Sequence, residues 1–78
     1  MVSYEVSETS KKIIISACNN SERQIYAKAD ILFFDRKGNL IGTDTVYFLY
    51  MAAGETVIKE GSNNADANSY KVIFYATE

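Results

Sequence analysis

The sequence predicts an all-β protein built as a two-sheet antiparallel β-sandwich of six or seven short strands. Three observations lead there. Several short runs alternate apolar and polar residues with period two, as a strand with one buried face requires. Turn-forming clusters recur about every ten residues, and proline is absent, a spacing that fits a sandwich or a barrel. The strands look half-wet, and two stacked sheets satisfy that better than a closed barrel. With 78 residues the chain forms one domain at most, with one thin core.

Val2 to Ser7 sets Val2, Tyr4 and Val6 against Ser3, Glu5 and Ser7, a first strand at an edge. Thr9-Ser10 makes a turn. Lys11 to Cys18 contains Ile13, Ile14 and Ile15, adjacent β-branched residues that favour a strand. Ile13, Ile15 and Ala17 share one of its faces; Ile14, Ser16 and Cys18 share the other. Asn19-Asn20-Ser21-Glu22 is a polar break of turn formers.

The stretch from Ile25 to Gly42 organises the rest. Ile25, Ala27, Ala29, Ile31 and Phe33 occupy one parity; Tyr26, Lys28 and Asp30 occupy the other, followed by Leu32 and Phe34. This is a strand wet on one face at its start and covered on both at its end. It stops at Asp35-Arg36-Lys37-Gly38-Asn39, where Gly38 accepts a positive φ and Asp35 can fold back onto the backbone. A helix also fits this window: Ser21 and Gln24 make a capping box, and Ile25, Ala29, Leu32 and Phe33 share a helical face. The strand is preferred because the segment ends Ile-Leu-Phe-Phe and no helical pattern continues past Asp35.

Leu40 to Tyr50 is the return strand. Neither parity is apolar throughout, which predicts a kink or bulge around Gly42 to Thr45 where the inward face switches. Ala52-Ala53-Gly54-Glu55 is the next turn and Thr56 to Glu60 a short strand. Gly61 to Ser69 (GSNNADANS) reads as an exposed loop and the most mobile segment. Tyr70 to Thr77 closes the chain as a strand.

Composition excludes several functions. The net charge of −2 gives no electrostatic reason to bind nucleic acid. No run approaches the ~20 apolar residues needed to span a bilayer, so no direct membrane insertion is expected, and the start of the chain does not read as a signal peptide. With no histidine, the commonest general base and metal ligand are missing. Cys18, the only cysteine, is read as a small core residue, since nothing near it would make a thiolate. No catalytic residue, cofactor or metal is expected. Asp35 is a turn former rather than an acid. The segment Glu60 to Asn68 has oxygen ligands for weak calcium binding but lacks the calcium-loop pattern. Asn19-Asn20-Ser21 matches a glycosylation sequon, a triplet common by chance.

Ten aromatics remain. Phe33, Phe34, Phe48 and Phe74 are assigned to the core. Tyr4, Tyr26, Tyr47, Tyr50, Tyr70 and Tyr75 are amphipathic sheet-covering residues. Of these, Tyr26, Tyr47, Tyr50 and Tyr75 are the candidates for a binding face toward protein or sugar.

The middle of the chain, roughly residues 13 to 58, resembles the FxLYD domain family. Ile13 to Ala17 followed by Asn19-Asn20-Ser21 is similar to the family's apolar strand and its Asn/Ser turn. Ile31-Leu32-Phe33-Phe34-Asp35 stands at the place of the name motif, with only the Asp identical, and Gly38-Asn39-Leu40-Ile41-Gly42 follows. Leu49 through Gly54-Glu55-Thr56 matches the Pro-Gly-Glu-Thr turn, with Ala53 replacing the proline. The resemblance implies an immunoglobulin-like sandwich in an extracytoplasmic or cell-surface protein or lipoprotein, and it carries no catalytic residue. The expected function is a non-enzymatic interaction, adhesion or spacer module. Two alternatives stand beside it. One is a ligand-binding module taking a glycan, a peptide or calcium on the tyrosine face or the 61–69 loop. The other is a self-assembling module, a homodimer formed through an edge strand, Val2 to Ser7 or Thr56 to Glu60.

Overall fold

The computed structural model describes residues 2–77. Six strands follow one another: β1 (Val2–Glu8), β2 (Lys12–Asn19), β3 (Ile25–Phe34), β4 (Leu40–Met51), β5 (Thr56–Ser62) and β6 (Ser69–Thr77). There is no helix among the described residues. The capping-box reading of Ser21 to Phe34 therefore gives way to a ten-residue strand. Its alternating side chains can bury one row along the sheet, whereas a helix would have had no second apolar face to pack upon.

The strands form two antiparallel sheets of three, ordered β1-β2-β5 and β4-β3-β6. Second strand beside fifth, and third beside sixth, is the pairing of immunoglobulin-like sandwiches. β2 and β3 are the central strands, and their inward rows are the most apolar. Ile13, Ile15 and Ala17 come from β2, and Ile25, Ala27, Ala29, Ile31 and Phe33 from β3; all are buried. Val46, Phe48 and Met51 of β4 complete the buried core. Ala17, Ala27 and Ala29 in these rows are small enough to let the two sheets approach.

The two seams of the sandwich differ. β4 and β5 run close together. Gly61 has no room for a side chain there: a Cβ would lie 2.9 Å from both Ile31 Cδ1 and Val46 Cγ2. Ser62 N–H donates to Asp44 Oδ2 at 2.9 Å. At the other seam β1 meets β6 through Tyr4 stacked on Phe74, with centroids 4.8 Å apart and planes at 11°. Register places Val2 beside Asn19 and Thr77 beside Tyr26, so both ends of the described chain lie at one pole. The Asp35 hairpin and the 63–68 loop occupy the other.

Four expectations need correction. Phe34 is not core: strand alternation turns it to the outer face, half-buried between Leu40 and Ser69. Phe74 is only partly buried, packed against the core from an edge strand. Cys18 is half-buried on the outer face of its sheet, between Ser3 and Thr56, with Sγ 3.3 Å from Asn20 Oδ1. The inward face of β4 does not switch at Gly42 to Thr45. Gly42, Asp44, Val46 and Phe48 keep one parity inward, and the switch comes between Phe48 and Met51. The 61–69 segment is also less free than its composition predicts. Gly61 and Ser62 belong to β5, and Asn63 N–H and Asn68 N–H bond to the carbonyls of Lys11 and Phe34.

Candidate functional site

The outer face of the β4-β3-β6 sheet carries the four candidate tyrosines together. Directly paired residues of an antiparallel sheet project to the same side. Tyr50, Tyr26 and Thr77 therefore form one row across the sheet, and Tyr47, Lys28 and Tyr75 form the next. Thr45, Asp30 and Ile73 come third, Thr43, Leu32 and Lys71 fourth, and Leu40, Phe34 and Ser69 last. Tyr26 and Tyr50 make an edge-to-face pair with centroids 5.8 Å apart. Lys28 Nζ sits 5.1 Å from the centre of the Tyr75 ring, a cation–π contact that holds the ammonium among the rings. Tyr47, Tyr50 and Tyr75 expose 53%, 68% and 45% of their surface, so these rings cover little and offer much.

Parity alone would not have gathered them. Tyr47 and Tyr50 are three apart, which on a regular strand sends them to opposite faces. A bulge prevents that: Ala27 pairs with Leu49 and Lys28 with Tyr47, leaving Phe48 without a partner on β3. Leu49 takes φ = +54°, a left-handed conformation uncommon for a bulky residue. The step lets Phe48 and Met51 both point inward while Tyr47 and Tyr50 both point outward.

Lys28 and Asp30 belong to the same face and were not singled out by sequence. They are neighbours along the central strand, and Asp30 Oδ1 accepts a hydrogen bond from Thr45 Oγ1 at 3.0 Å. Their signal was alternation itself: each is a charged residue in mid-strand, on the parity opposite the buried row.

The opposite broad face, outside β1-β2-β5, is different. Its rows are Ser7–Ile14–Glu60, Glu5–Ser16–Ile58 and Ser3–Cys18–Thr56, mostly small and polar. The 63–68 loop borders an open groove with Glu8, Ser10 and Tyr70. Asn63 and Asn64 help to hold the loop. Asn63 Nδ2 donates to Thr9 O at 2.7 Å, and Asn64 Oδ1 accepts from Asp66 N–H at 2.9 Å. Glu60, the acidic residue at the start of that segment, pairs with Lys12 at 2.9 Å. Among the described residues no three His, Cys, Asp or Glu side chains converge as a metal site would need.

Asn19, the acceptor position of the sequon, is fully buried. Its Nδ2 donates to the carbonyls of Arg23, Met51 and Ala52, at 2.7, 3.0 and 3.2 Å. Its Oδ1 accepts from Ser21 N–H and Oγ–H, at 3.0 and 2.7 Å. It is a structural residue.

Comparison of the chain with family models, curated proteins and solved structures found no match. The functional reading therefore rests on the face itself.

Proposed function

We propose that the protein is a non-enzymatic interaction module that binds through the outer face of its β4-β3-β6 sheet. The supporting observation is the convergence of Tyr26, Tyr47, Tyr50 and Tyr75 around Lys28 on one exposed surface. Tyrosine supplies a broad apolar ring with a polar tip at low entropic cost, and it is enriched where proteins meet partners. A bulge that tolerates backbone strain to bring two of the rings to the same side is the kind of departure that accompanies function. The partner class is a protein surface or a glycan. The resemblance to FxLYD domains supports an extracytoplasmic or cell-surface setting.

Chemical-shift mapping of the ¹⁵N-labelled protein against a panel of soluble oligosaccharides, unstructured peptides and calcium tests this reading. Shifts are expected at the amides of Tyr26, Lys28, Tyr47, Tyr50 and Tyr75, and the Tyr47→Ser, Tyr50→Ser double variant should lose at least roughly tenfold in affinity. Shifts confined to the 63–68 loop or the serine-rich face would overturn it.

A further inference from the structure

We infer that the partner of this face is a second copy of the chain, docked face to face with its strands antiparallel to the first; this rests on the binding face proposed above. The pattern of the five rows is self-complementary in only one orientation. A two-fold axis lying in the interface and running across the strands, level with Ala29, inverts the order of the rows while keeping β3 over β3. The second row of one copy then meets the third row of the other. Lys28 faces Asp30 of the second copy, and the symmetry makes that pair twice. In the same arrangement Tyr75 lies over Ile73, Tyr47 over Thr45 and Tyr26 over Leu32 of the second copy. Two of these rings, Tyr75 and Tyr26, thus cover aliphatic side chains, and two charges on each copy are neutralised. The alternative axis, parallel to the strands, stacks Lys28 on Lys28 and Asp30 on Asp30. Like charges placed opposite each other across an interface are strongly disfavoured, so the charge pattern selects the first arrangement.

Size fits a weak dimer. Three strands ~4.8 Å apart, with the four overlapping rows spanning about seven residues at ~3.3 Å each, give a footprint of roughly 15 by 23 Å, and the Leu40–Phe34–Ser69 row overhangs it. That is smaller than stable interfaces bury and fits a weak, transient association. Sheets stack readily face to face at ~10 Å. The polar outer face of the β1-β2-β5 sheet offers no comparable pattern, so the assembly closes at two copies.

Sedimentation equilibrium of the full chain from about 10 µM to 1 mM is the test. A monomer–dimer equilibrium is expected for the native chain. Lys28→Glu alone and Asp30→Lys alone should each weaken it at least roughly tenfold. The double variant Lys28→Asp, Asp30→Lys presents the same complementarity with signs exchanged and should restore it. Loss of a mere structural contact would not be rescued in this way. Circular dichroism of each variant checks that the sheets are intact. A chain still monomeric at the highest concentration overturns the dimer, as does a dimer indifferent to both charge reversals or one that the double variant fails to restore. A monomer whose tyrosine-row amides still shift on addition of an oligosaccharide or peptide would overturn self-association and leave the binding face standing. A dimer broken instead by changes along the β1 or β5 edge would overturn the face-to-face arrangement and likewise leave the binding face standing.

Discussion

At the scale of the residue, Asn19 shows how far one amide can be committed. Its side chain ties the end of β2 to the 20–24 connection and to the end of β4, and its backbone N–H and C=O bond to Glu55 and Gly54. Replacing it with Ala removes the donor from three carbonyls, of which that of Met51 is buried and those of Arg23 and Ala52 are part-buried. A loss of about 2–4 kcal/mol in urea unfolding is expected. Composition could read Asn19 only as a turn former, because its burial depends on β4 arriving from about thirty residues away in sequence. Asp35 is the contrasting case, fully legible. Its Oδ1 accepts from Lys37 N–H and Asn39 N–H at 2.9 and 2.8 Å, and Gly38 takes φ = +87°. The Asn39 N–H foremost, helped by its side-chain amide and the Lys37 and Gly38 N–H groups, holds the carboxyl below its ordinary value of 3.8 against the opposing effect of desolvation. A depressed folded value means the unfolded chain takes up the proton first. The contribution is thus fully present above the unfolded value and is lost as pH falls from there through the folded one. The Asp35→Asn variant should lack this component of the acid sensitivity. Its urea midpoint should approach that of the native chain as pH drops below 3.8; a gap that stays constant with pH would contradict the assignment.

At the scale of the element, β3 and β4 divide what sequence can tell. β3 begins and ends where its alternation does, from Ile25 to Phe34, because a central strand has one buried row and nothing to disturb its period. β4 carries two register shifts, one opposite Ala27 and Lys28 and one opposite Phe33 and Phe34. The mixed parities of residues 40–50 did signal an irregularity. The shift beside Gly42, which leaves Ile41 unpaired, lies next to where it was expected, but the inward face switches at the other, where the backbone turns at Leu49. That residue is 56% exposed, so its side chain contributes little to offset the left-handed strain. Leu49→Gly should therefore raise stability by about 1 kcal/mol, the strain of a non-glycine residue there less the extra flexibility of glycine when unfolded. Thermal unfolding would read it as a rise in Tm, and a fall would mean that Leu49 makes contacts its exposure conceals. The four tyrosines were legible as a group by their chemistry alone; that Tyr47 and Tyr50 share a side was not, since it depends on this bulge.

At the scale of the molecule, the number of strands and the two-sheet architecture followed from turn spacing, and β1 and β5 do lie at sheet edges. The pairing of β2 with β5 and β3 with β6 is long-range, and no local pattern encodes it. Nor does composition reveal that Gly61 closes one seam rather than beginning a loose loop. A methyl group there would press on two branched, buried side chains and on Asp44 Oδ2, 3.0 Å away. Gly61→Ala should cost about 1–3 kcal/mol in chemical denaturation, with most disturbance where β4 and β5 adjoin; a neutral result would mean the seam can open without penalty.

The shared pole of Val2 and Thr77 has a mechanical consequence. Tension applied between the two ends would load the β1–β2 and β3–β6 ladders at their terminal bonds. These bonds would break in succession, as a zipper opens, rather than resist together in shear. Pulled by its two ends, such a domain would yield early.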